Sequence, residues 1–319
     1  MSNKPDLLLI GHLFGSAIDS LREVFELTVI DDFTQLPLQG TDMRSLRTVA
    51  IGMVGSGHIS TQAVNAEFFD LFPQLELLAA LGVGCEYIDV ETAHARNVVV
   101  TNTPGTNTEE TADTALGLLL CAVRQIPQAD RHIRTGQWPN GMFPLTGTLR
   151  NKKLGILGLG NIGKAIARRA QAFGLEILYH GRRRQAVPYE YVTSVHALAT
   201  QADILMIVVP GGDETQHMVD AEVIRALGPE GILVNIARGS VVDEAALIDA
   251  LTHRHIKTAA IDAFRDEPTV PAALLDMAHV VLTPHIGSGT HHTREQMSLA
   301  VVNNLVQWLR DKSVITPMT

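Results

Sequence analysis

Three stretches of the sequence each follow an apolar run with a side chain able to do chemistry: "VNIARGSVVDEAAL" with Arg238, "AAIDAFRDEP" with Glu267 and "VVLTPHIGSGT" with His285. A guanidinium can hold a carboxylate by paired, charge-assisted hydrogen bonds. A histidine changes charge near neutral pH and can move a proton, and a neighbouring carboxylate can orient its ring. Ligands of open α/β sheets sit at the carboxyl ends of strands, so the three residues are candidates to converge in one cleft. Taken singly, each also has an ordinary explanation: Arg238 on the surface, Glu267 as a helix or turn cap, His285 as a satisfied core histidine.

A fourth stretch, "KLGILGLGNIGKAIARRAQAFG", sets Gly158, Gly160 and Gly163 in GxGxxG spacing after an apolar run and at the opening of an amphipathic helix. The first glycine allows a tight turn, the second lets a pyrophosphate approach the backbone, and the third allows close packing of helix on strand. The helix N-terminus offers unpaired N–H groups to phosphate. This context predicts a dinucleotide site, with Leu159, Asn161 and Ile162 in the same loop.

The next apolar run, in "GLEILYHGRRR", ends at His180 and continues into Gly181, Arg182, Arg183 and Arg184. An Asp or Glu at this distance usually bonds the ribose 2′-OH of NAD, and it would repel a 2′-phosphate. A guanidinium would instead bind that phosphate. The expected cofactor is therefore NADP(H), with NAD(H) possible, and His180, Arg182 and Arg183 are the expected contacts. A solvated basic turn is the alternative reading.

Short aliphatic runs position these groups. They recur at Leu7 to Ile10, Thr28 to Ile30, Thr48 to Ile51, Leu75 to Leu81 and Val98 to Thr101. A second series follows at Leu154 to Leu157, Glu176 to Tyr179, Ile204 to Val209, Ile232 to Ile236, Thr258 to Asp262 and Val280 to Thr283. Such runs, bounded by Gly, Pro, Asp or Asn and alternating with helices, predict buried parallel strands and an α/β fold with two sheets. Between the series, "TPGTNTEETADTALGLLLCAVRQI" predicts a long helix capped by Asn107 with Glu110 three residues on. The segment His291 to Arg310 has helical spacing and is expected to return to the first domain.

A chain of 319 residues exceeds the usual span of one core, which supports two domains. Its formal charge of -9 argues against a broad nucleic-acid surface. Cys85 and Cys121 form no CxxC pair, so neither a disulfide framework nor a zinc site is expected, and a reducing cytoplasm fits. "LLLIGHLF" is too short for a membrane span and lacks a cleavage pattern, so it reads as the first strand of a soluble protein. His291 with His292, and His253 with His255, have no convincing set of further ligands, and no metal is expected.

With "VTNTPGTNTEETADTALGLLL", "ALGVGCEYID" and "GILGLGNIGKAIA", these stretches resemble the D-isomer-specific 2-hydroxyacid dehydrogenase family, most closely its glyoxylate/hydroxypyruvate reductase branch. The motifs occur in the family's order over nearly the whole chain. The resemblance implies two Rossmann-like domains with an interdomain cleft: a discontinuous substrate domain, 1–102 with 288–319, and a coenzyme domain, 103–287.

It also implies that Arg238 binds the substrate carboxylate and carbonyl, that His285 transfers the proton, and that Glu267 pairs with His285. Backbone N–H groups of Val83 and Gly84 would receive the carboxylate, and Ser288 would contact substrate or order its loop. Trp138 resembles a tryptophan presented to a neighbouring subunit's site, and it could equally be a packing residue. Thr108 falls near the nicotinamide, and Val209, Pro210, Ile236, Ala237, Asp262 and Gly287 are placed with the cofactor contacts. Gly211 and Gly212 depart from the larger residues common at that point in the family.

The function so implied is reduction of small 2-oxo acids, glyoxylate and hydroxypyruvate, to glycolate and D-glycerate by a homodimer. A reductase of bulkier acids such as phenylpyruvate or hydroxyphenylpyruvate is one alternative. A cofactor-sensing corepressor with the same fold is another, disfavoured by the lack of a long C-terminal tail. The chain's length also disfavours a long-type phosphoglycerate dehydrogenase or a formate dehydrogenase.

Overall fold

The structure, a computed structural model, describes residues 4–40, 42–54 and 64–318. Two parallel sheets organise it, one in each of two units: Met1–Asn107 with Gly289–Thr319, and Thr108–Ser288.

In the first unit, β1 (Asp6–Ile10), β2 (Glu26–Ile30), β3 (Thr48–Ile51), β4 (Leu77–Ala80) and β5 (Val99–Thr101) run in the order β2-β1-β3-β4-β5. Every residue of β3 and β4 is buried. A strand covered on both faces has no solvent side toward which to alternate, which is why these read as unbroken aliphatic runs. The helix His291–Asp311 returns to this unit, packing Met297, Val301, Leu305 and Trp308 with Leu7, Leu9 and Leu77. Each fully buried leucine contributes about 1.5–3 kcal/mol. Thr290 caps that helix, accepting from the Thr293 N–H at 3.0 Å.

The second unit holds β6 (Lys153–Leu157), β7 (Glu176–His180), β8 (Glu190–Tyr191), β9 (Ile204–Ile207), β10 (Ile232–Asn235), β11 (Thr258–Ile261) and β12 (Val281–Leu282), in the order β12-β11-β10-β9-β6-β7-β8. Along β6, Leu154 and Ile156 face a core shared with Leu116, Leu119 and Ile166, while Leu157 faces Leu198, Ile224 and Leu251. Gly155 sits between them because a Cβ there would lie 2.9 Å from that of Ala202. β7 pairs on one side of β6 and β9 on the other. Strand order reverses at this point, and the carboxyl ends around such a reversal are where open sheets take ligands.

Four details differ from the sequence expectations. The first break between units follows Asn107 rather than residue 102, because Thr103 N donates to Gly82 O at 2.9 Å and Asn102 Nδ2 donates to Val83 O at 3.0 Å, which ties this segment to the first sheet. The second break follows Ser288 rather than residue 287. The long helix ends at Arg124; Gln125 is left-handed at φ 51°, and a second helix, Ile126–Arg134, opens with Pro127. Asn107 does not cap the helix Thr108–Arg124, since its Oδ1 is buried and accepts no hydrogen bond. Among the described residues no helix is long and apolar enough to cross a membrane.

Candidate active site

His285 lies just beyond β12 in a loop that Asp262, just beyond β11, holds in place. The Asp262 side chain is 1% exposed, and its carboxylate accepts from Thr283 Oγ1 at 2.5 Å, Ile286 N at 2.8 Å and Gly287 N at 2.8 Å. His285 takes a left-handed conformation, φ 52°, and its N–H donates to Thr283 O at 3.0 Å. A left-handed backbone costs an L-residue energy and persists where its surroundings impose it. The three bonds to Asp262 bracket the histidine on both sides and supply that constraint. The Gly287 carbonyl is also tied, accepting from Thr114 Oγ1 at 3.2 Å.

Glu267 Oε2 lies 2.8 Å from His285 Nδ1, and Oε1 accepts from Phe264 N at 2.8 Å. An ionised carboxylate only accepts, so Nδ1 carries the hydrogen and Nε2 is the ring nitrogen not committed to Glu267. The Glu267 side chain is 12% exposed and that of His285 31%, which places the carboxylate behind the imidazole and leaves the ring reachable. A carboxylate bonded to an oriented, part-exposed imidazole makes a proton donor or acceptor of fixed direction.

Arg238 follows β10. Asn235, 2% exposed, shapes its loop by donating to Arg238 O at 3.0 Å and accepting from Ala237 N at 3.1 Å. Arg238 Nη1 donates to Ala237 O at 2.9 Å. The adjacent Gly239 packs against the Phe264–Arg265 backbone so closely that any Cβ would overlap it. The arginine loop is thereby pressed onto the segment that leads into Glu267. Sequence reading missed both Asn235 and Gly239; a polar residue closing the apolar run "ILVN" was the available signal.

The glycine loop fits a dinucleotide. Gly158 has φ 101° and donates to His180 O at 2.9 Å, and a Cβ on Gly163 would collide with the Gly158 carbonyl. Gly160 has nothing within 4 Å of where a Cβ would stand, which leaves an open cradle at the N-terminus of the helix Asn161–Ala172. Leu159 is buried, whereas Asn161 is exposed and Ile162 partly so. His180 Nδ1 lies 2.8 Å from Val192 O, and its ring stacks on Tyr191 at 6.1 Å. Arg182, Arg183 and Arg184 are exposed, and among the described residues none makes a hydrogen bond or ion pair.

The remaining expected positions are more scattered. Ile236 and Ala237 are buried, Val209 is half-buried, and Pro210 accepts from Thr215 Oγ1 at 2.7 Å. Thr108 opens the helix Thr108–Arg124, and Ser288 is the last residue of the second unit. Trp138 is 64% exposed on a short turn. Val83 and Gly84 lie in the first unit, each half-buried. Among the described residues no group of three His, Cys, Asp or Glu side chains could hold a metal.

Residues 116–287 match the family described as D-isomer specific 2-hydroxyacid dehydrogenase, NAD binding domain. A 2-ketogluconate reductase of Gluconobacter oxydans is 38% identical over 100% of both chains. A glyoxylate/hydroxypyruvate reductase of Arabidopsis thaliana is 42% identical over 87% of each. The crystal structure of an NADPH-dependent glyoxylate/hydroxypyruvate reductase from Sinorhizobium meliloti, in complex with NADP and malonate, superposes with a TM-score of 0.91 at 41% identity, covering 99% of this chain and 97% of that one. With a paired Glu267 and His285, a dinucleotide loop and relatives matched along its full length, the chain belongs to the D-isomer specific 2-hydroxyacid dehydrogenase family.

Proposed function

We propose that this protein reduces small 2-oxo acids, glyoxylate and hydroxypyruvate, to glycolate and D-glycerate with NADPH. The observation that carries the reading is the 2.8 Å bond between Glu267 and His285 in a loop fastened by Asp262, in the same unit as an arginine-bearing turn that lacks a carboxylate.

In this reading Thr108–Ser288 is the coenzyme domain and the other unit the substrate domain. The open cradle at Gly160 would hold the pyrophosphate, and Arg182 and Arg183 the 2′-phosphate. The reduced nicotinamide supplies the hydride when bound. Arg238 would grip the substrate carboxylate and carbonyl. As negative charge gathers on the carbonyl oxygen, His285 donates the Nε2 proton. The hydrogen on Nδ1 stays bonded to Glu267, so the histidine is left in a single tautomer, ready for reprotonation.

The reading includes a cytoplasmic homodimer. Its support is two cysteines, Cys85 and Cys121, set far apart in sequence with no CxxC pair, and a row of exposed apolar side chains, Ile126, Ile133, Trp138, Met142 and Leu145, on and after the second helix of this unit. Trp138 belongs to that surface.

The test is parallel absorbance traces of NADPH and NADH consumption with glyoxylate, hydroxypyruvate, 2-ketogluconate and phenylpyruvate. The two small acids should be consumed fastest, and faster with NADPH. Silence on all four acids would refute the assignment.

A further inference from the structure

The turn that carries the arginines is fastened at its two ends by side chains to which the reaction assigns no role. At its start, Gly181 O accepts from Tyr191 Oη at 3.2 Å. At its end, Gln185 is tied to both Tyr179 and Leu159. Its backbone N–H donates to Tyr179 Oη at 2.7 Å, and its side-chain Nε2 donates to Leu159 O at 2.9 Å. Tyr179 is fully buried, so that hydroxyl is a fixed post in the core. Leu159, 2% exposed, is the residue between Gly158 and Gly160.

Gln185 therefore joins the arginine turn to the glycine loop through one side-chain hydrogen bond. In the NADPH reading the two segments would hold two phosphate groups of one ligand, the pyrophosphate and the 2′-phosphate. Recognition of both at once requires their separation to be set before binding, since ordering a loose turn on binding subtracts from affinity. Between the ties the arginines have no other hydrogen bond or ion pair among the described residues that would hold them.

We propose that Gln185 is a positioning residue for coenzyme choice: its bond to Leu159 O holds the Arg182–Arg183 turn at the distance from the glycine loop that the 2′-phosphate needs. This rests on the NADPH reading above. Gln185 does not touch the reacting atoms, and its influence falls on NADPH, because NADH has no 2′-phosphate for the arginine turn to meet.

The experiment compares kcat and KM for NADPH and NADH in the wild type, Gln185→Met, Arg182→Ala/Arg183→Ala and the triple variant. Methionine keeps the length and volume of glutamine and removes the donor. Gln185→Met should raise KM for NADPH about fivefold to tenfold, the effect of one lost hydrogen bond, with kcat and the NADH parameters within about twofold of wild type. In the arginine-less background the same change should add nothing, because the groups it positions are gone.

Equal losses on both coenzymes would show a purely structural role and overturn the proposal. So would additive effects in the triple variant. An unchanged ratio in Gln185→Met, beside a collapsed ratio in the arginine variant, would overturn the clasp and leave the NADPH reading standing. NADH preference in the wild type would remove that reading and the inference with it.

Discussion

The histidine loop and the arginine turn both follow strands of the second sheet, yet they are built in opposite ways. Around His285, Asp262 and Glu267 are largely buried and their carboxylates are matched by named donors. Around Arg182 and Arg183 the side chains are exposed, and only the ends of the turn are tied. Proton transfer needs a direction fixed before substrate arrives, so the chain surrounds the imidazole with preformed hydrogen bonds. Phosphate selection needs charge, which works from an exposed side chain and can be altered without disturbing the core.

That contrast ranks the expected effects. Replacing Arg238 with Ala should lower kcat/KM for the 2-oxo acid about a thousandfold, because the substrate loses its paired anchor and its orientation together. NADPH affinity, read by fluorescence titration, should change only a few fold. Glu267→Gln should lower kcat about a hundredfold, at the low end for positioned acid–base groups, with the KM for coenzyme nearly unchanged. A large rise in coenzyme KM there would mean that Glu267 shapes the coenzyme pocket rather than the imidazole.

On the exposed side, Arg182→Ala/Arg183→Ala should lower the NADPH-to-NADH ratio of kcat/KM about tenfold or more while leaving kcat with NADH intact. Added salt should weaken the wild-type preference and hardly affect the variant. An unaltered ratio would make the arginines a solvated turn.

The smallest effect is predicted at the opposite end of the same sheet. Burial pushes the Asp203 carboxyl up, but the Lys152 hydrogen bond, the Lys153 N–H and the charges of both lysines outweigh it and hold it below the ordinary range. A lowered folded-state value contributes stability that is present above the unfolded carboxylate value and is lost as pH falls through the lowered one. Both side chains of the Lys152–Asp203 pair are more than a third exposed, so Asp203→Asn should cost about 0.2–1 kcal/mol near neutral pH. The difference in Tm should vanish in acid, with activity unaffected throughout.

The two regions also differed in what could be read from sequence. Arg238 and His285 follow closely on aliphatic runs and Glu267 stands further beyond one, so the runs made them candidates while the resemblance to the family gave them their expected roles. The contact between Glu267 and His285 depends on a loop conformation set by Asp262, and hydrogen bonds between distant residues leave no periodic trace. Asp262 itself was placed with the coenzyme; the structure adds its hold on the His285 loop. β8 has two residues and no apolar run to announce it, so the Tyr191 tie was invisible. Asn107 carried the right residue type for a cap and does not act as one, because capping requires an orientation that composition does not specify. Gln185 directly follows the three arginines, and nothing in the sequence marks it as a tie.

The central claim is that His285 carries the proton while other groups carry the coenzyme. Its most direct measurement is His285→Ala followed by two readouts on one preparation: glyoxylate reduction at saturating NADPH, and NADPH binding by fluorescence titration. The account predicts a fall in kcat of about a thousandfold or more with the binding constant within about threefold of wild type. Turnover near the wild-type rate would contradict it.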